Sequence, residues 1–233
     1  MQSAFVSRRA VLLGAALALA GAPARPAAAA TRVVVEDWRS QPVGATGVPS
    51  GWRAYETFGG HPHYDFTVVD DGGRRALALR SADDHSTIAH EARASDLGAT
   101  PMLEWSWKVV RLPAGADLRK KATSDATGHI FVVWPRFPEM LRSRLIGYVW
   151  DPVLPVGATQ PSAKTGTVTF IVVRSGAAGL GSWHDERRDV AADYLRLFGE
   201  PPPAPRAVAL SIDTNDTRSP AEALFGPIAW AAR

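Results

Sequence analysis

The chain has 233 residues, 46% of them hydrophobic and 21% charged, a composition ordinary for a globular protein with one sizeable core. It contains no cysteine, which excludes disulfides, thiolate metal sites, a cysteine nucleophile and lipid attachment at a lipobox cysteine. Lys and Arg number 26 against 23 Asp and Glu, but Arg8, Arg9 and Arg25 lie in a leader expected to be removed, and no acidic residue does. The remainder is formally neutral, so the charge argument for nucleic acid or an anionic membrane surface disappears.

Residues 1–30 read as an export signal. The paired Arg8 and Arg9 precede an Ala- and Leu-rich segment too short to span a bilayer, and the small residues 27–30 offer a cleavage site after Ala30. Paired arginines before a mildly apolar core resemble a twin-arginine signal, which implies bacterial export to the periplasm or beyond. No second apolar span anchors the mature chain, expected to be one domain over residues 31–233.

Val33, Val34 and Val35 open that domain as a short strand, and a Pro- and Gly-rich loop leads to an extended segment at residues 51–55. Residues 64–69 and 74–81 flank Asp70-Asp71-Gly72-Gly73, a strong hairpin signal, and residues 86–92 are a weaker strand. The clearest alternation runs over residues 102–110, with Leu103, Trp105, Trp107 and Val109 on one face and Glu104, Ser106 and Lys108 on the other. Residues 114–127 read as a surface loop, 128–134 and 145–150 as strands, and 151–166, with three prolines, as a second irregular connection.

Residues 168–199 hold the densest set of reactive side chains. An apolar strand ends in Arg174, a glycine-bearing loop leads to Trp183, and the charged run from His184 to Asp189 enters a short helix. Asp189 is a plausible N-cap, Val190, Tyr194, Leu197 and Phe198 share one face, and Gly199 stops the helix. After Pro201, Pro202 and Pro203, Val208, Leu210 and Ile212 alternate with Ala209 and Ser211, and residues 223–230 close the domain. Short strands with frequent turn signals and one helix near 189–198 predict an all-β fold: an antiparallel two-sheet β-sandwich of jelly-roll type.

Several pieces together resemble a bacterial family known as domain of unknown function 3047. They are residues 101–107 (Pro-Met-Leu-Glu-Trp-Ser-Trp), 147–150 (Gly-Tyr-Val-Trp), 172–176 (Val-Val-Arg-Ser-Gly), Trp183 with 186–190, Asp193-Tyr194, Phe198-Gly199 and Asp213-Thr214-Asn215. The resemblance covers nearly the whole mature chain and implies no established activity; its general look is similar to β-jelly-roll carbohydrate-binding modules. The chain departs from the family pattern at Gly147, where a polar Asn is usual, and at His129, where Arg is usual.

Four groups of residues offer chemistry. Arg174 at a strand end could grip a carboxylate or phosphate through its guanidinium fork; an ion pair with Glu186 or Asp193 is the structural alternative, favoured because neither sign of charge dominates nearby. Glu186, beside Trp183, and Asp125 are the carboxylates to test as an acid and base, although a run of alternating charge is more often a solvated strand edge. Asp213, Asn215 and Asp216 offer hard oxygens for a Ca²⁺ ion without EF-hand spacing, and such clusters also form ordinary turns. Trp134, Trp150 and Trp183 near strand ends are candidates to stack on a sugar ring, with Lys121 as a polar contact, whereas Trp105 and Trp107 belong to the core. Scattered histidines without H-E-x-x-H spacing give no zinc site, and no phosphate loop or nucleophile elbow is present.

The leading expectation is a non-catalytic exported domain that binds a glycan or another polar, ring-containing ligand. The alternatives are an enzyme on envelope polysaccharide using Glu186 with an aspartate, and an envelope scaffold that binds another protein.

Overall fold

The computed structural model describes residues 31–55, 62–92 and 96–233; the expected export signal lies outside them. Among the described residues, the strands in chain order are β1 (Arg32–Glu36), β2 (Arg53–Ala54), β3 (Phe66–Asp71), β4 (Arg74–Ser81), β5 (His85–Glu91), β6 (Met102–Arg111), β7 (Ala126–Trp134), β8 (Arg144–Asp151), β9 (Thr159–Pro161), β10 (Val168–Ser175), β11 (His184–Asp189), β12 (Ala207–Asp213) and β13 (Ala221–Ala231). One turn of helix, α1 (Glu139–Arg142), precedes β8, and α2 (Val190–Phe198) follows β11.

The strands form two sheets packed face to face, the expected β-sandwich. Sheet one has the order β11-β6-β13-β4-β3. Its central strand β13 pairs with β6 along one side, and with β4 and then β1 along the other. Sheet two has the order β2-β5-β12-β7-β8-β10-β9. All pairings are antiparallel except β8 with β10, which run parallel. The irregular segment after β8 is long enough to return the chain to the start of that strand, and on the way it adds β9 outside β10.

Local sequence explains most of these elements. Gly72 and Gly73 adopt φ of 66° and 88° in the two-residue turn between β3 and β4, a conformation that suits glycine, and Asp70 Oδ1 accepts from Gly73 N at 2.7 Å. Asp189 caps α2 by accepting from Ala192 N at 2.9 Å, a contribution of about 1 kcal/mol, and Gly199 ends the helix. On its inner face Tyr194 is buried against Trp134 with ring centroids 4.7 Å apart.

The main core lies between the sheets and is rich in aromatic rings. Trp105 stacks on Tyr148 across the interface (5.5 Å, 28°), while Trp107, Trp150 and Trp230 are fully buried. The alternation read in β6 is therefore real, with its tryptophan face inward. A second apolar layer covers the outer face of sheet two, including Phe131, Val133, Leu145, Val149, Phe170 and Val172. Leu118 and Leu154 from the flanking connections fold over it. The segment expected to be a surface loop is thus partly buried: Leu118 is inaccessible, Asp117 pairs with Arg119 at 2.8 Å, and Ala126 and Thr127 already belong to β7. Among the described residues no helix is long and apolar enough to cross a membrane.

Candidate ligand-binding groove

Strand alternation sends every second residue of sheet two away from the core, and register places these residues in rows across the sheet. His85 pairs with Asp213; Thr87 pairs with Ser211, which pairs with His129; Phe131 and Phe170 both pair with Gly147. The connections before β7 and before β10, together with α1, rise beside these rows. The result is a groove of about 940 Å³ on the outer face, within the usual range for ligand sites.

The middle of the groove is aromatic. His129 stacks on Phe131 (5.3 Å, 19°) and leans on Phe170 (5.5 Å, 33°). Gly147 makes this possible: a Cβ there would stand 2.7 Å from Phe131 Cε1 and 2.9 Å from Phe170 Cδ1. The two positions at which the sequence departs from the family pattern, His129 and Gly147, therefore meet at one place. Burial, aided by the charges of His85 and Lys164 and opposed by the Ser211 backbone, pushes the His129 pKa down to about 3, so the ring is neutral.

A hydroxyl chain runs from this floor: Thr87 Oγ1 lies 2.7 Å from Ser211 Oγ and 3.2 Å from His85 Nε2. At one end Lys164 Nζ sits among Asp216 Oδ2 (2.5 Å), Asn215 Oδ1 (3.3 Å) and Asp213 Oδ2 (3.4 Å). Burial works against the Lys164 ammonium, but Asp213, Asp216 and Asp125 outweigh it and hold its pKa above the ordinary value. Burial raises the Asp213 pKa, with Asp125 adding to the effect and His85 and Lys164 opposing it. At the other end the Arg53 guanidinium lies over the Tyr55 ring (5.7 Å), beside Glu139 of α1.

The residues singled out in the sequence fall into separate places. Lys121, Asp213, Asn215 and Asp216 line the groove. The cation among the last three is the Lys164 ammonium, and among the described residues no three His, Cys, Asp or Glu side chains are grouped to hold a metal ion. Asp125 stands behind the groove wall, fully buried, accepting from Thr217 N and Oγ1 (both 2.6 Å) and from Asp216 N (3.1 Å); it shapes the turn and does not face a ligand. Arg174 and Glu186 are elsewhere, in an ion pair between the two sheets, the structural alternative foreseen for Arg174.

Two of the three expected tryptophan platforms, Trp134 and Trp150, are corrected. Trp150 is inaccessible, in the main core, donating to Gly176 O at 2.8 Å, and Trp134 is buried with its indole N–H on Pro203 O. Trp183 is half-buried on the outer face of sheet one, donating to Asp71 Oδ2 at 2.7 Å under the Arg74 guanidinium. Sequence reasoning marked His129 only as a departure from the family pattern and missed the groove's other residues: Phe131, Phe170, Lys164, Thr87 and Ser211. The alternation in β12 did mark Ser211 as opposite to the core face; β7, buried on both faces, carries no such mark.

Fold and groove together define a two-sheet β-sandwich with a ligand-sized trough on one outer face. The chain belongs to the family described as "Protein of unknown function (DUF3047)", which matches residues 50–229. No curated protein matches it.

Solved structures with a similar outline include the family 11 carbohydrate-binding module from Clostridium thermocellum in complex with a β-1,3-1,4-mixed-linked tetrasaccharide, at 10% identity and TM-score 0.43, covering 88% of this chain and 98% of that one. Another is a cellulase derived from the Cel12A cellulase of Rhodothermus marinus (10% identity, TM-score 0.44, 87% and 100% covered). A third is the xyloglucanase domain of NopAA, a type three effector from Sinorhizobium fredii, in complex with cellobiose (10%, 0.41, 82% and 98%). Similarity this low assigns neither a ligand nor a reaction to this chain.

Proposed function

We propose that this protein is exported and that the groove on sheet two binds an oligosaccharide, or a similar polar ligand built of rings, without altering it. One observation carries the reading: a trough of about 940 Å³ lined by the His129, Phe131 and Phe170 rings and by Ser, Thr, Asp, Asn, Lys and Arg side chains. A pyranose presents the matching surfaces, an apolar ring face of C–H groups and a rim of hydroxyls that donate and accept. The groove's Lys and Arg charges are offset by Asp and Glu, which suits a ligand of low net charge. Titration of the purified full chain with a panel of neutral and acidic oligosaccharides tests this. Saturable binding that Phe131→Ala removes supports it, and absence of binding by well-folded protein ends it.

A second reading, cleavage of envelope polysaccharide, moves from Glu186 to the groove end. The observation favouring it is the raised pKa of Asp213, a buried carboxyl at the groove wall that shares Lys164 with Asp216. Release of reducing ends from bacterial envelope glycan, lost in Asp213→Asn, would establish it; a groove that binds without releasing ends leaves the binding reading alone.

A further inference from the structure

The cations Arg53, Lys121 and Lys164 and the carboxylates Glu139, Asp213 and Asp216 line the groove together, but their charges are not committed alike. Lys164 is held by Asp213 and Asp216, whereas Arg53 and Lys121 enter no ion pair among the described residues. Arg53 is exposed on the edge strand β2, with its guanidinium over the Tyr55 ring at 5.7 Å from the centroid. Stacking of this kind occupies the face of a guanidinium and leaves the N–H groups on its edge free to donate. Neither those groups nor the Tyr55 hydroxyl has a hydrogen-bond partner among the described residues, and Glu139 stays outside ion-pair distance of Arg53. Burial, aided by Glu139 and opposed by Arg53, pushes the Tyr55 pKa up, so the phenol keeps its proton and donates as well. This wall of the groove therefore offers donors that the protein itself leaves without an acceptor.

Register sets the wall across from the aromatic rings. Arg53 pairs with Ala89, Ala89 with Ala209, and Ala209 with Phe131, and paired residues share a face of the sheet. Strands β2 and β7 are thus three strand spacings apart, roughly 14 Å, with only alanine between them in this row. That span takes a pyranose ring together with an exocyclic group.

We propose that Arg53 is the specificity-determining contact of the groove, its guanidinium edge gripping the carboxylate of a uronic-acid ring that lies between it and Phe131. The inference rests on the oligosaccharide reading above and names the class of sugar, one in which acidic rings alternate with neutral ones. A planar carboxylate accepts at two oxygens and matches the guanidinium fork, which a single hydroxyl cannot do. Around Lys164 two carboxylates already share one ammonium, a setting that repels a further carboxylate and suits the hydroxyls of a neutral ring.

Isothermal titration of the full chain tests this with three probes: a hyaluronan hexasaccharide, in which glucuronate alternates with N-acetylglucosamine; chitohexaose, neutral throughout; and hexagalacturonate, acidic at every ring. The wild type should bind the hyaluronan probe most tightly, with an affinity that falls as NaCl is added. Arg53→Met, at an exposed position, should keep the melting temperature and lose roughly tenfold in affinity for that probe, while its weaker binding of chitohexaose stays at the wild-type value. Arg53→Lys restores the charge without the fork and should recover part of the loss. Equal affinity of wild type and Arg53→Met for the hyaluronan probe overturns the proposal, as does tighter binding of chitohexaose by the wild type; both leave the oligosaccharide reading standing. Tightest binding of hexagalacturonate overturns the alternating class. If the wild type binds none of the three, the oligosaccharide reading fails and this proposal with it.

Discussion

Arg174 on β10 and Glu186 on β11 are 12 residues apart in sequence but belong to different sheets, and their ion pair fastens the sandwich at one edge. Trp107 Nε1 donates to the same Glu186 oxygen at 3.0 Å, so the carboxylate also satisfies a buried indole. Glu186, the carboxylate the sequence singles out first, thereby holds both a cation and an indole at the join of the two sheets.

Replacements at this clasp should act on stability and spare the groove. Glu186→Gln retains an oxygen for Trp107 and should cost about 1 kcal/mol, because Arg174 keeps access to water. Glu186→Leu leaves both Arg174 and the Trp107 N–H without a partner and should cost about 2–3 kcal/mol. Urea unfolding measures both. Oligosaccharide affinity of the Gln variant should match wild type, and a selective loss of function there would return Glu186 to the site.

Gly147→Ala should be disproportionately harmful for the addition of one methyl group. Its Cβ would stand inside the contact distance of Phe131 and Phe170, and overpacking of this kind costs about 1–3 kcal/mol. Because the displaced rings are the groove floor, ligand affinity should fall together with melting temperature. A Gly147→Ala variant with unchanged melting temperature and affinity would show that the rings are not held as described.

The protein should lose stability in acid through His129. Its folded pKa of about 3 lies below the ordinary value of 6.5, so as pH falls below 6.5 the unfolded chain takes up a proton that the folded chain refuses. The stability is fully present above 6.5 and is lost progressively down to about 3, on the order of 5 kcal/mol in all. Asp213 acts in the opposite sense: its raised pKa means that the folded chain holds a proton longer, which favours folding in acid. Comparing urea midpoints of wild type and His129→Phe across this range isolates the histidine. The variant's curve should be the flatter, and parallel curves would contradict a buried neutral imidazole.

Lys164 should behave as the counter-ion of its loop. Lys164→Met leaves Asp213 and Asp216 facing each other without a cation and should lower stability by about 1–3 kcal/mol near neutral pH. In the wild type, adding Ca²⁺ or EDTA should leave the melting temperature unchanged, since the ammonium occupies the oxygens that a metal would need. A clear rise with Ca²⁺ would mean that Lys164 yields its place.

The sequence by itself determined the elements whose signals are local. The Asp-Gly-Gly turn, the alternation of β6 and β12 and the cap and stop of α2 each follow from neighbouring residues, and together they specify a sandwich. Local pattern could not assign faces to β7, because Ile130, Phe131, Val132, Val133 and Trp134 are apolar without a break, some packed against the other sheet and some under the outer layer. Nor could it show that β8 and β10 run side by side in parallel, which is what brings Phe131, Gly147 and Phe170 into one row. Charged and aromatic residues attract notice in a sequence, yet Trp150 went to the core and Arg174 and Glu186 to the sheet clasp. The groove instead was made by strand order, since which side chains share a surface depends on pairings between segments far apart in the chain.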